Sequence, residues 1–95
     1  NRKDQKRLEA EFRKKLTPFK KQLTSSEKQM DNYSTRLTEI EQSLGDSTLY
    51  EQENKKLLTD LLKEQGELKE QLEETEMLWM DAQEQIELLQ SEFEA

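Results

Sequence analysis

Between the two halves of the chain lies 45-GDSTLYEQENKK-56, and its reading decides the fold. On each side runs a long polar sequence carrying a single apolar stripe. If the stretch is a turn, the two stripes face each other. Gly45 is one of only two glycines. Glycine is common just past a helix C-terminus, where it tolerates positive φ. Asp46, Ser47 and Thr48 each carry an oxygen able to cap a following helix. The stretch therefore predicts a turn at Gly45–Thr48.

Upstream, Leu8, Phe12, Leu16, Phe19, Leu23, Met30, Tyr33, Leu37, Ile40 and Leu44 form the first stripe. From Phe12 onward the steps alternate three and four, with Ser26 as a weak member. Leu16, Leu23, Met30, Leu37 and Leu44 take the a positions of a heptad, and Phe12, Phe19, Tyr33 and Ile40 the d positions. Downstream, Leu58, Leu61, Gln65, Leu68, Leu72, Thr75, Trp79, Ala82, Ile86, Leu89 and Phe93 repeat the spacing. Two seams joined by a tight turn predict an all-α fold, a two-helix antiparallel coiled-coil hairpin. Facing residues then have numbers summing to about 94–95. That register sets Phe12 against Ala82, Leu16 against Trp79 and Tyr33 against Leu61. It also brings Lys20 near Glu76 and Glu27 near Lys69.

Pro18 lies inside the first seam. An interior proline removes a hydrogen bond and costs about 3 kcal/mol. Thr17-Pro18 also matches an N-cap followed by a first helical residue. The first helix is therefore expected to be kinked or broken near Pro18, with helices at about 2–16, 18–44 and 48–93. Gly66 falls in the middle of the second helix, where it costs roughly 1 kcal/mol relative to alanine.

Composition narrows the function. The 95 residues are 31% hydrophobic and 39% charged, against about 45–50% apolar and about 25% charged in globular domains. That suits one thin seam and not a three-dimensional core. There is no Cys and no His, so disulfides, thiolate nucleophiles and imidazole bases are excluded. No glycine-rich phosphate loop exists. Clustered carboxylates such as Glu73, Glu74 and Glu76 read as a solvated helix face, because a two-helix hairpin offers no concave site. No catalytic, cofactor-binding or metal-binding residue is expected, and the chain is not expected to be an enzyme. No apolar run approaches a membrane span. The chain opens without Met in a charged helical pattern. It is expected to be a single domain, 1–95, cut from a longer cytoplasmic protein, with no membrane partner.

Charge is unevenly placed. Residues 1–21 hold nine cations (Arg2, Lys3, Lys6, Arg7, Arg13, Lys14, Lys15, Lys20, Lys21) and three acids (Asp4, Glu9, Glu11), a net of +6. With a total of −7, residues 22–95 carry −13. Two readings stand: the basic arm pairs with the acidic second helix, or it contacts phosphate. The tip also has two. Leu49 and Tyr50 plug the end of the seam, or with Lys55 and Lys56 they touch a large partner. Late in the second helix, 76-EMLWMDAQEQ-85 sets four large apolar residues in a row. Trp79 falls on the seam and is expected to be buried, and Met77 to be exposed. Met77, Leu78 and Met80 are either covered by a bent first helix or form a docking patch.

The basic first helix with its proline, the tip GDSTLYEQ and the run EMLWMDAQEQIE together resemble the C-terminal coiled-coil domain of ABC-F ATPases, of the YheS and Uup types above all. The resemblance covers nearly the whole chain and is strongest at residues 44–51 and 76–87. It implies a parent protein that binds and hydrolyses ATP, with Mg, in cassettes upstream of these residues; none of the ATP-binding motifs falls here. It also implies work on the ribosome during translation and, in Uup-type members, nucleic-acid binding. The function expected is a non-catalytic interaction module that engages ribosomal RNA or DNA. The alternative is a structural spacer or dimerisation coil that contacts only protein. Weak self-association is a further expectation.

Overall fold

The computed structural model describes residues 1–94. Helix α1 runs Arg2–Leu44 and helix α2 Lys55–Glu94, joined by two short 3₁₀ turns, Ser47–Tyr50 and Gln52–Asn54. The fold is all-α, a helical hairpin, as the two seams require. The chain forms two compact units. The tip unit is Lys28–Thr75, and the terminal unit pairs Asn1–Glu27 with the stretch from Glu76 onward. Each is antiparallel. In the tip unit the chain reverses on itself and Arg36 meets Glu64. In the terminal unit Phe12 meets Phe93 and Gln22 meets Leu78, so rising numbers face falling ones.

Helix α1 does not break at Pro18; all 43 of its residues are helical. The proline ring has no N–H for the Lys14 carbonyl. Lys14, Thr17 and Pro18 are exposed, so water reaches the freed group. The Thr17 hydroxyl donates to the Arg13 carbonyl at 2.8 Å, tying the adjoining turn. Leu16 is buried and Phe19 half-buried on the opposite face. That packing holds the turn helical where local propensity alone argues for a stop.

The turn is longer than expected. No glycine among the described residues has positive φ, so Gly45 does not end α1 in a left-handed conformation. Its N–H is shared between the carbonyls of Glu41 (3.1 Å) and Gln42 (3.2 Å), and Asp46 N–H donates to Ser43 at 3.1 Å. Helix α1 thus tightens as it closes. Asp46 then leaves the helix at φ −85°, ψ 119°. Its Oδ1 accepts from the Thr48 N–H (3.0 Å) and the Thr48 hydroxyl (2.8 Å). These bonds, the backbone one first, hold the Asp46 carboxyl below its ordinary range. Glu51 is extended, and Asn54 Nδ2 donates to the Thr48 carbonyl at 2.9 Å. The Tyr50 hydroxyl donates to the Leu44 carbonyl at 2.7 Å, satisfying an acceptor that α1 leaves open.

The connection therefore fills residues 45–54, and α2 starts at Lys55, not near residue 48. The added residues move the register: bonded or stacked pairs across the helices have numbers summing to 100–106, against the expected 94–95. Arg36 and Glu64, whose numbers sum to 100, are bonded. Phe12 stacks on Phe93, with ring centroids 4.3 Å apart, and does not face Ala82.

Leu37, Ile40, Leu49, Leu61 and Leu68 form one buried cluster in the tip unit, with Tyr33, Leu44, Leu58 and Leu72 packed against it. Arg36 closes one flank as a fork: Nε donates to Glu64 Oε2 at 2.7 Å and Nη2 to Glu64 Oε1 at 2.8 Å. Nη1 reaches Glu39 at 3.1 Å. The Arg36 bonds hold Glu64 below the usual carboxylate range, and Glu64 in turn raises Arg36. In the terminal unit the buried residues are Leu16, Ser26, Ala82 and Ile86.

Candidate nucleic-acid interface

All nine cations of residues 1–21 are exposed. Among the described residues the ion pairs are Arg36–Glu39 and Arg36–Glu64, so no cation of the arm is paired. Lys20 does not reach Glu76, and Glu27 accepts from Trp79 Nε1 at 3.0 Å. The two helices of the terminal unit meet through their apolar seam and not through salt bridges across it.

Helix geometry explains this. At 3.6 residues per turn, Arg2, Lys3, Lys6, Arg7, Arg13, Lys14, Lys20 and Lys21 spread over the arc away from Phe12, Leu16 and Phe19. Lys15 is the exception: it lines a groove at the seam with Glu11, Phe12 and Phe93. The acids of the same stretch keep to the seam side. Glu11 shares that groove, Asp4 lines a second one with Leu8 and Phe93, and Glu9 is half-buried. The outer arc of α1 is thus basic from Arg2 to Lys21, with only the small Ala10 and Thr17 between cations. Six of the cations form the dyads Lys6-Arg7, Arg13-Lys14 and Lys20-Lys21. Their seven-residue spacing is about 10.5 Å along the axis. This repeat is legible in the sequence but is masked by the apolar heptad that shares its period.

The second helix presents the opposite sign. Beyond Lys69 the sequence has no cation. Within the terminal unit Glu76, Asp81, Glu84, Glu87, Glu92 and Glu94 are all exposed. One helix of this unit is basic outside and its neighbour acidic.

At the tip, Leu49 is buried in the core cluster and is no contact residue. It plugs the seam. Tyr50 is 59% exposed but held by its bond to Leu44. Lys55 and Lys56 are exposed at the start of α2.

Met77 is 66% exposed, with Leu78 and Met80 also exposed, so α1 does not wrap over the apolar run. Leu88 is a further exposed apolar residue on the same helix. Trp79 is half-exposed and not buried. Its indole N–H donates to the exposed Glu27 carboxylate across the edge of the seam. Gln22 Nε2 adds a bond to the Leu78 carbonyl at 2.7 Å. Among the described residues no cluster of three or more His, Cys, Asp or Glu could hold a metal ion, and no helix is long and apolar enough to cross a membrane.

No family model matches the chain, and no solved structure matches it significantly. Three curated proteins do, each described as "Probable ATP-binding protein YheS", from Escherichia coli K12, O157:H7 and O6:H1. Each is 46% identical over 86 residues, which is 90% of this chain and 14% of the relative. The chain thus spans about a seventh of the length of the relatives it matches. The heptad seams, the turn and the late tryptophan run lie in a chain similar, over nine-tenths of its residues, to one segment of the ABC-F type, YheS-like probable ATP-binding proteins.

Proposed function

We propose that this hairpin is a non-catalytic interaction module of an ABC-F type ATP-binding protein, and that the outer arc of α1 engages the phosphates of ribosomal RNA or DNA. The observation that carries the proposal is the set of exposed, unpaired cations on α1. Eight lie on one arc with no acid among them, a distribution suited to counterion release. ATP and Mg would be handled by cassettes elsewhere in the same protein, in the cytoplasm. The test is co-sedimentation of the 95-residue chain with ribosomes, and binding to DNA, across a salt series. Binding that weakens steeply with salt, and is lost when Lys14, Lys15, Lys20 and Lys21 become Glu, supports the proposal. Salt-independent binding, or binding indifferent to those charges, sinks it.

The second reading is a spacer or dimerisation coil that touches only protein. It is favoured by the exposed Met77, Leu78 and Met80. Light scattering separates the two, since a stable dimer without affinity for nucleic acid supports the second alone.

A further inference from the structure

We infer that the nucleic acid which fits α1 is a duplex, gripped along its sugar–phosphate backbone by one side of the terminal unit; this rests on the phosphate-binding role proposed above. Three observations carry it. First, the outer arc has no aromatic residue. Phe12 and Phe19 are half-buried, and Phe12 is further occupied by its stack on Phe93. Single-strand binders gain affinity by stacking successive bases on aromatic side chains, and this arc has no such platform. Ala10 and Thr17 fill the gaps between cations, so beyond its charges the arc offers only one small hydroxyl.

Second, the arc is long and regular. From Lys3 to Lys21 it covers about 27 Å of helix axis. That is roughly eight base pairs of duplex at 3.4 Å each. The dyads recur on one face every second turn, so their charge lies along a line on a stiff rod. A rigid line of charge complements a rigid polyanion of fixed phosphate spacing better than a flexible strand, which loses more entropy on being straightened.

Third, the acidic neighbour makes the contact one-sided. Glu76, Asp81, Glu84, Glu87 and Glu92 on α2 repel a polyanion, and no cation offsets them there. The terminal unit can present α1 to a duplex but cannot be wrapped by one.

Fluorescence anisotropy of the 95-residue chain distinguishes the partners. The probes are a labelled RNA duplex, a DNA duplex and an oligouridine of equal length, each about twice the eight-base-pair footprint. Duplex binding about tenfold or more tighter than oligouridine binding is expected. Replacing one dyad with glutamine should lower the slope of log affinity against log salt by about two. The three dyads should act alike, and Lys63→Gln in the tip unit should act as the parent. Preference between the RNA and DNA duplexes names the source and leaves the inference standing. Equal binding of oligouridine overturns the duplex inference and spares the phosphate role. No binding of any probe overturns both. Binding unchanged by dyad replacement, in variants whose helical circular dichroism is intact, overturns the assignment to this arc.

Discussion

In the tip unit, Leu37, Ile40, Leu49, Leu61 and Leu68 close into one cluster, sealed by the plug at Leu49 and flanked by the Arg36 fork. The terminal unit buries Leu16, Ser26, Ala82 and Ile86, while Phe12, Phe19, Leu23 and Trp79 stay half-exposed. Both use the same three-and-four spacing. The tip unit buries five large aliphatic groups and one polar one, Thr75, and pairs charges across its helices. The terminal unit puts small or polar groups at two of its four buried positions and segregates charge by helix. The difference teaches where each property resides: the buried aliphatic core lies around the tip, and the unpaired cations lie on the terminal unit.

The largest test of this contrast is Ile40→Ala. Ile40 is fully buried, and its truncation is expected to destabilise the chain by about 2–5 kcal/mol. Urea unfolding followed by circular dichroism measures the loss. Native-state hydrogen exchange should show protection falling most in residues 28–75. A loss of under about 1 kcal/mol would show that the tip cluster is not the stable centre. Next is Ala82→Leu, which enlarges a fully buried position in the terminal unit. Overpacking there is expected to cost about 1–3 kcal/mol. Exchange should now rise in residues 1–27 and 76–94. If it rises equally everywhere, the two units unfold together and the contrast is one of packing alone.

Gly66 offers a change of opposite sign. It lies inside α2, and a Cβ there would meet nothing within 4 Å. Gly66→Ala is expected to stabilise by about 0.5–1 kcal/mol through the backbone entropy of the unfolded chain. Destabilisation would mean that α2 needs glycine at this point. Tyr50→Phe removes the hydroxyl that serves the Leu44 carbonyl. The site is solvent-exposed, so a loss of about 0.5 kcal/mol is expected in urea unfolding.

Much of this was legible in the sequence. Leu16, Ser26, Leu37, Ile40, Leu61, Leu68, Thr75, Ala82 and Ile86 are all buried, and all lie on the two seams. Period alone placed them, because only one face of a helix can meet a single partner. Register was not legible. It depends on how many residues the turn consumes, and Gly45 marks where α1 ends without marking where α2 begins. Residues 47–54 form two 3₁₀ turns either side of the extended Glu51, held as Asp46, Tyr50 and Asn54 bond across the connection, and that network has no sequence period. Of the two outcomes expected at Pro18, the break fails for a related reason: the proline's local cost is real, but packing of Leu16 and Phe19 keeps the turn helical. Trp79 misled because seam membership was equated with burial, although an indole at a seam edge can keep its N–H in a polar contact. The nine cations of the basic arm were read from composition; that eight of them share one arc emerges once the sequence is laid on a helix with the seam as reference direction.

The smallest expected effect concerns acid. Arg36 holds Glu64 below its ordinary value of 4.5, and Thr48 holds Asp46 below 3.8. A depressed folded-state value means the folded chain binds the proton less readily than the unfolded one. The stabilisation is therefore complete above the unfolded value and is lost as pH falls through the folded one. Both groups belong to the tip unit and both face solvent, where such interactions are weakened by screening. Thermal melts of the parent should be level down to about pH 4.5 and then decline. Glu64→Gln removes the titrating group and leaves the fork with a neutral acceptor. It should lower the melting temperature slightly at neutral pH and flatten the decline below pH 4.5. Asp46→Asn should do the same over a window starting nearer 3.8. Lys14→Gln with Lys21→Gln, in the terminal unit, should leave the acid slope as it is in the parent. If those lysine changes alter the slope as much as Glu64→Gln does, acid sensitivity arises from general charge repulsion along the helices and not from the tip's bonded carboxylates.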